Sequence, residues 1–429
     1  MRFRDLDSWL RWQETLHPRT IDLGLERVEA VWRRLGPLPD GSRVVTVAGT
    51  NGKGSCVGVM ERVLLESGRS VLAYTSPHLL RYNERIRLDG QPISDEALIA
   101  AFAAVDQARG DTPLTYFEFG TLAALRTLVE FRPDTALLEV GLGGRLDAVN
   151  ILDPDVAVIT SVGLDHMDWL GSDREAIGSE KAGILRPGAP FVLGDRAPPA
   201  SVLERAGKLD CATSRLGVDY DWDGDDDSWR FEGSCRSLPG LPVGPLGGPL
   251  FDNAACALEA LDRLPARAPT TGSAVAQALT TLVLPGRLQV IRDRAEWVVD
   301  LAHNAPAAAA FGRFVGGRAP ARRTHAVFGM LAGKDVAAVL GEIGGFVDRW
   351  WLVDTTGERA RPATDLAETM APQGVDIGGC FASTRAAIKA VQAVAGEGDR
   401  VLVFGSFRIV GPALETLSAP ASGLPSTAL

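Results

Sequence analysis

Short apolar runs rich in Val, Ile and Leu recur along the chain, each separated from the next by a longer stretch with helical spacing of its apolar residues. That alternation restricts the fold to an α/β class, because parallel strands need long crossovers and helices supply them while covering the sheet faces. Strands are expected near 44–48 (VVTVA), 70–75 (SVLAYT), 135–140 (TALLEV), 156–162 (VAVITSV) and 190–194 (PFVLG), with helices over 94–109, 118–131 and 173–185. Residues 213–248 break the pattern: Asp, Gly and Pro are dense among short alternating pieces such as SWRFEG, so a small antiparallel excursion is expected there, then a helix at 251–264. After LPGR (284–287) the alternation restarts with EWVVDLA, a helix over 305–315, THAVFGML, a helix over 335–345, RWWLVDT, helices within 363–396, and RVLVFGS. The Pro-Gly pair and the fresh strand pattern put a boundary at 285–292, dividing the chain into 1–287 and a smaller 288–429.

A length of 429 residues suits two or three domains, and 46% hydrophobic with 23% charged residues is a globular composition. The formal charge of −10 repels phosphate backbones and anionic lipid, so neither nucleic acid nor a membrane is expected as partner. The opening MRFRDLDSWLRWQETL scatters charges where a signal peptide would be apolar, and no run approaches a membrane span, which makes the cytoplasm the expected compartment. Five cysteines without a CxxC pair fit reduced thiols, and the small, polar end LSAPASGLPSTAL is expected to be disordered. Of 44 basic residues only five are lysines, at 53, 181, 208, 334 and 389, so a lysine within a motif carries extra weight.

VVTVAGTNGKGS is the strongest local signal. A strand runs into a glycine-rich turn and then into the helical pattern CVGVMERVLLESG. Backbone N–H groups of Gly49, Thr50, Asn51, Gly52, Lys53, Gly54 and Ser55 can wrap phosphate oxygens at the positive end of the helix, with the Lys53 amine reaching the outer phosphates. The fit to GxxxxGK[ST] is imperfect, since Val47 stands at the first Gly position and Gly54 separates Lys53 from Ser55. Even so, this is the pattern of an ATP phosphate cradle.

Such a cradle serves kinases, transport ATPases, switches and ligases alike, so other residues must choose. Glu139 ends a buried strand, where open parallel sheets present ligand-facing groups, and can hold magnesium there; an ion-paired strand-end Glu is the plain alternative. His166, in TSVGLDHMDWLG, follows another strand and shares that rim, although a lone loop His is more often structural, and Asp165 and Asp168 can simply solvate the turn. Lys181, in SEKAGIL, reads in isolation as a helix-surface lysine or a partner of Glu180. Asp219, Asp221, Asp223 and Gly224 match the opening of a calcium loop, but position 230 is Arg where its bidentate Glu belongs, leaving a solvated acidic hairpin.

Taken in order, AGTNGKGS, SPHLLRYNERIR, TYFEFGTL, LLEVGLGGRLDAVN, GLDHMDWLG, SEKAGIL, LPGRLQ, DLAHN and FGSF resemble the folylpolyglutamate synthase and dihydrofolate synthase family of the Mur ligase superfamily, over about residues 9–410. LHPRTIDLGLERV is similar to the bifunctional bacterial type. The resemblance implies a P-loop-type N-terminal ATPase domain that also binds the pterin, a Rossmann-like C-terminal glutamate-ligase domain, and an active site in the cleft between them. It implies that ATP phosphorylates the carboxylate of dihydropteroate or a reduced folate and that L-glutamate attacks the acyl phosphate. By the same resemblance Ser55 and Glu139 hold one magnesium and His166 with a carbamylated Lys181 serves a second. Asn253, Arg287 and Asp300 then contribute to ATP binding, Thr115, Phe117 and Asp147 to the pterin substrate, and His303 and Ser406 to glutamate. Arg81, Arg85 and Arg87 lie in a loop that could close on substrate, and a monomer is expected.

The sequence departs from the family at Ala305 and Pro306, where Pro then His is common, at Arg408 in place of His, and in GGPLFDN, which lacks a His-Gln pair. Two other functions compete: a UDP-muramyl amino-acid ligase of the same superfamily, disfavoured by LHPRTIDLGLERV and TYFEFGTL, and a nucleotide-dependent switch protein needing no amino-acid substrate.

Overall fold

The computed structural model describes residues 2–225, 227–265, 270–357 and 359–418, so residues 419–429 of the terminal segment expected to be disordered lie outside the described residues. The chain divides into two compact units, Met1–Gly244 with Pro249–Val283, and Pro245–Gly248 with Leu284–Leu429.

The first unit is built on β1 (Arg43–Ala48), β2 (Val71–Tyr74), β3 (Ile86–Leu88), β4 (Gln91–Pro92), β5 (Thr135–Glu139), β6 (Val156–Ile159), β7 (Pro190–Leu193) and β8 (Ala212–Arg215), in the order β4-β3-β2-β5-β1-β6-β7-β8. From β2 to β8 neighbours run parallel, and β3 and β4 add an antiparallel edge. Side chains alternate across the sheet. Val44, Leu72, Tyr74, Ala136 and Leu138 pack against α1 (Leu6–Gln13), α2 (Glu26–Leu35), α4 (Asp95–Arg109) and α5 (Tyr116–Phe131), while the opposite face takes α3 (Lys53–Glu66), α9 (Pro249–Arg263) and α10 (Gly272–Thr281). On the first face, α7 (Arg174–Lys181) and α8 (Ala200–Lys208) share the core of Ile159, Phe191 and Leu193; α6 (Met167–Leu170) is a single turn.

Asp221–Gly224 (β9), Ser228–Glu232 (β10) and Ser237–Pro242 (β11) form the small antiparallel sheet that was expected, and Asp221 is ion-paired to Arg196 rather than grouped around a cation site. The excursion begins later than 213, because β8 joins the large sheet as its parallel edge.

In the second unit the sheet order is β12-β13-β17-β14-β15-β16, from β12 (Gln289–Arg292), β13 (Glu296–Val299), β14 (Thr324–Phe328), β15 (Arg349–Val353), β16 (Ile377–Phe381) and β17 (Arg400–Phe404). Its helices are α11 (Ala305–Gly316), α12 (Val336–Ile343), α13 (Ala363–Met370), α14 (Thr384–Gln392) and α15 (Phe407–Ser418). Within 363–396 the chain is not helical throughout. The edge strand β16, IGGCF, interrupts it, and with two glycines and only partial burial it lacks the apolar run that marks a central strand.

Candidate active site

The chemistry-bearing residues of the first unit leave the C-terminal ends of β1, β2, β5 and β6, the rim where open parallel sheets bind ligands. The phosphate loop leaves β1 and is tied to the end of β6. Thr50 N–H donates to the Ser161 carbonyl at 2.8 Å, Asn51 N–H to Ser161 Oγ at 3.1 Å, and the Thr160 hydroxyl to the Asn51 carbonyl at 2.6 Å. A Cβ on Gly49 would lie 3.2 Å from Thr160 Cβ and nearer its hydroxyl, so the loop closes only over a glycine. Gly52 sits at φ 87, the left-handed region, immediately before Lys53 opens α3. Lys53 Nζ is folded back onto the Gly49 and Thr50 carbonyls at 2.9 and 3.4 Å, and Ser55 is buried in the first helical turn.

Glu139 is the last residue of β5 and lies in register beside Val47, two residues before Gly49. It is buried, and one carboxylate oxygen accepts the Ser76 N–H at 3.2 Å from the end of β2. Lys181, at the end of α7, is also buried. Burial pushes its amine down to about 7, the Lys53 charge pushes the same way, and Asp165 and Asp147 oppose them. Burial of Lys181 excludes the helix-surface reading. His166 is on an exposed turn with φ 51, beside Asp165, whose carboxylate accepts the His166 N–H at 2.8 Å. Among the described residues no three His, Cys, Asp or Glu side chains gather into a ready metal cage. A Ser hydroxyl and a carboxylate are nevertheless hard oxygen donors of the kind magnesium takes when phosphates and water complete its shell.

Asp147 is buried; burial raises its carboxyl to about 6 against the opposing N–H groups of Leu142, Val149 and Gly141 and the Lys53 charge. Phe117 lies against Gly141, its ring 6.2 Å from that of Tyr74. Thr115 caps α5: its hydroxyl accepts the Glu118 N–H at 3.2 Å while Glu118 accepts the Thr115 N–H at 2.7 Å. Arg27 secures Glu118 at 2.9 Å and also binds Asp22, so the LHPRTIDLGLERV segment is fastened to the start of α5. The segment expected to close as a loop is largely committed. Arg87 lies in β3 and forks onto the buried Glu61 at 2.7 and 3.0 Å, Arg81 pairs with Asp95, and Arg85 Nε donates to His78 Nδ1 at 2.9 Å.

In the second unit Asp300 follows β13 and is half-buried, accepting the N–H groups of Leu288 and Ala302 at 2.8 Å each. Burial raises its carboxyl to about 6, against the opposing N–H groups of Leu288 and Ala302 and the Arg287 charge. His303 Nδ1 is 2.8 Å from the Leu301 carbonyl; a carbonyl only accepts, so Nδ1 carries a proton there. Ser406 is buried after β17, its hydroxyl accepting the Arg408 N–H at 3.2 Å. Asn253 belongs to the first unit, near the start of α9, with its carboxamide against Gly52.

Residues 47–193 match the Mur ligase middle domain and residues 286–407 the Mur ligase glutamate ligase domain. The chain is 42% identical to the dihydrofolate synthase/folylpolyglutamate synthase of Escherichia coli (strain K12) over 422 residues, 97% of each chain. It belongs to the dihydrofolate synthase/folylpolyglutamate synthase family. Two solved structures carry the likeness to the backbone. Escherichia coli FolC in complex with DHPP and ADP superposes with a TM-score of 0.92 at 41% identity, covering 97% of this chain and 98% of that one. A bifunctional folylpolyglutamate synthase/dihydrofolate synthase with Mn, AMPPNP and L-glutamate bound gives 0.88 at 40% identity, covering 96% and 98%.

Within this family member, sequence reasoning passed over Ser76, Thr160 and Ser161, which shape the rim through backbone and hydroxyl bonds to Glu139 and Asn51. Small hydroxyl residues after strands carry no signal of their own. Asp165 was read as turn solvation; its coupling to Lys181 needed the fold to become visible.

Proposed function

We propose that this chain is an ATP-dependent amide ligase that joins L-glutamate to dihydropteroate and to reduced folates through an acyl phosphate. The observation that carries the reading is one sheet rim holding a phosphate cradle, a buried carboxylate and a buried lysine with its amine near 7. A substrate carboxylate oxygen attacks the γ-phosphorus and ADP leaves with the bridging oxygen. The amine of L-glutamate then attacks the acyl carbon, phosphate departs, and the amine gives up a proton. Two anions must meet in the first step, so the N–H groups of 49–55 and the Lys53 charge serve to hold and neutralise them.

Ser55 and Glu139 would hold one magnesium, and His166 with Lys181 a second; the metal supplies charge neutralisation on the phosphates. A neutral amine at Lys181 adds carbon dioxide, forming an N–C bond and releasing one proton, and the resulting carbamate turns a buried cation into an oxygen donor. The residue's depressed basicity supports this, since an ordinary lysine near 10.5 offers almost no neutral amine at pH 7. Asn253, Arg287 and Asp300 bind the nucleotide. Phe117 offers the pterin a face, with Asp147 as acceptor for its amino group and Thr115 setting the start of α5. His303 and Ser406 orient glutamate. Residues 1–287 thus carry the pterin chemistry and most of the nucleotide contacts, and 288–429 the glutamate side together with Asp300. The substrates are small and soluble, no helix of the described residues is long and apolar enough to cross a membrane, and we read the enzyme as a cytoplasmic monomer that binds no nucleic acid.

Phosphate release with ATP, magnesium and dihydropteroate, with and without L-glutamate, tests the reading alongside mass spectrometry of the products. Strict dependence on acceptor and amine, with products heavier by one glutamyl residue, supports it. Turnover independent of glutamate would make the protein a nucleotide switch, and glutamate transfer only to a UDP-muramyl acceptor would make it a cell-wall ligase.

A further inference from the structure

The N-terminal part of α9 meets the phosphate loop through Asn253. A Cβ on Gly52 would lie 2.9 Å from Asn253 Cγ and closer still to its Oδ1, so the carboxamide forms a wall against the left-handed residue of the loop. Where Asn253 stands therefore governs where the loop can stand.

The preceding residue is held by three N–H groups converging on one oxygen. Asp252 Oδ1 accepts Trp222 Nε1 at 2.8 Å, Arg196 Nη2 at 3.0 Å and Arg196 Nε at 3.2 Å. Arg196 is braced in turn by Asp221 at 2.7 and 3.3 Å, and Trp222 and Asp221 both belong to β9. The Trp222 ring stacks on Phe251 at 4.6 Å and 23°, and Trp229 of β10 meets the same Phe251 edge-on at 5.5 Å. Phe251 and Asp252 are thus gripped by the β9–β10 hairpin, and Asn253 is the next residue. Stability alone is a weak reason for this arrangement, because ion pairs as exposed as Arg196 with Asp221 and Asp252 contribute little. Three donors on one oxygen fix a direction instead, and an indole N–H and a guanidinium do so with rigid groups.

We propose that Trp222, Asp252 and Arg196 are positioning residues for Asn253, and that through it the hairpin sets the phosphate loop for nucleotide. None of the three needs to touch ATP. The proposal rests on the reading of Asn253 as a nucleotide-binding residue.

The test uses the full chain and ADP titration calorimetry, with KM for ATP and kcat, in Trp222→Phe, Asp252→Ala, Asp252→Asn, Asn253→Ala and the Asp252→Ala/Asn253→Ala double variant. Losing one oriented hydrogen bond should weaken ADP on the order of fivefold in Trp222→Phe, and losing all three should weaken it at least as much in Asp252→Ala. KM for ATP should rise in step, while kcat at saturating ATP and KM for glutamate stay within about twofold. Asp252→Asn keeps an acceptor oxygen and should recover most of the affinity, and the double variant should bind no more weakly than Asn253→Ala. If Asn253→Ala weakens ADP while Asp252→Ala and Trp222→Phe bind it normally, the clamp is structural and the proposal fails alone. Effects of Asp252→Ala and Asn253→Ala that multiply would overturn it as well. If Asn253→Ala binds ADP normally, the nucleotide reading of that residue fails and takes the proposal with it. Should Asp252→Ala not fold, Trp222→Phe, which keeps an aromatic ring against Phe251, decides.

Discussion

At the scale of single residues, the most informative one is Lys181, because its chemistry depends on a charge state that only its surroundings set. Burial beside Lys53 holds the amine near 7, so the neutral form that reacts with carbon dioxide is abundant at pH 7 and scarce below pH 6. Lys181→Arg keeps a cation but cannot form a carbamate, and should lower kcat by about a hundredfold or more while circular dichroism stays that of the wild type. Wild-type activity should also fall in carbon-dioxide-depleted buffer and return on adding bicarbonate; full activity without bicarbonate would remove the modification. Gly52→Ala is a sharper steric test. Its methyl group would overlap the Asn253 carboxamide at a φ of 87, and ATP affinity should drop at least about tenfold in a titration. The strand–glycine–helix pattern made this loop legible from the sequence. Lys181 was not legible by its own letters, since SEKAGIL looks like any helix end until the fold buries it. The reading of Arg81 and Arg87 as substrate-closing groups fared differently: their partners Asp95 and Glu61 are 14 and 26 positions away in sequence, and spacing alone does not reveal such pairs.

At the scale of elements, most strands and helices announced themselves because buried parallel strands are continuous apolar runs and their crossovers keep helical spacing. The strands that did not are at the sheet edges, and the helices α1, α2, α8, α10 and α15 were not expected either. Strand β16 is glycine-rich and half-exposed, β3 and β4 are three and two residues long, and β8 carries ATSR, so none offers a continuous buried apolar run. Helix α5 shows how an element and a site share residues. Thr115 and Glu118 cap it reciprocally, and Arg27 ties that cap to the N-terminal segment. Thr115→Val should cost about 1 kcal/mol of stability in urea unfolding through the lost cap, and should raise KM for dihydropteroate more than KM for ATP. Equal changes in the two KM values would mean that α5 acts only as scaffold.

At the scale of the whole molecule, buried charges set how stability follows pH. Asp300 has a folded value of about 6 against roughly 3.9 in an unfolded chain, so between those values the folded protein holds a proton the unfolded one lacks. Its contribution to stability therefore declines as pH rises from 4 to 6 and is level above. Lys181, before modification, acts in the other direction at higher pH: the unfolded chain keeps a proton that the folded one has lost from about 7 to 10.5, so stability rises across that range. Asp300→Asn should remove the first slope, and the difference in unfolding free energy between variant and wild type should shift in the variant's favour from pH 4 to 6. A constant difference would show that Asp300 does not titrate there. None of this could be read from composition, because a net charge of −10 says nothing about which carboxyls are buried. The central claim concerns the reaction itself, and oxygen tracing addresses it most directly. Dihydropteroate labelled with oxygen-18 in its carboxylate is incubated with ATP, magnesium and L-glutamate, and the phosphate released is weighed by mass spectrometry. The account predicts one labelled oxygen in each phosphate formed per amide; unlabelled phosphate accompanying normal amide formation would contradict it.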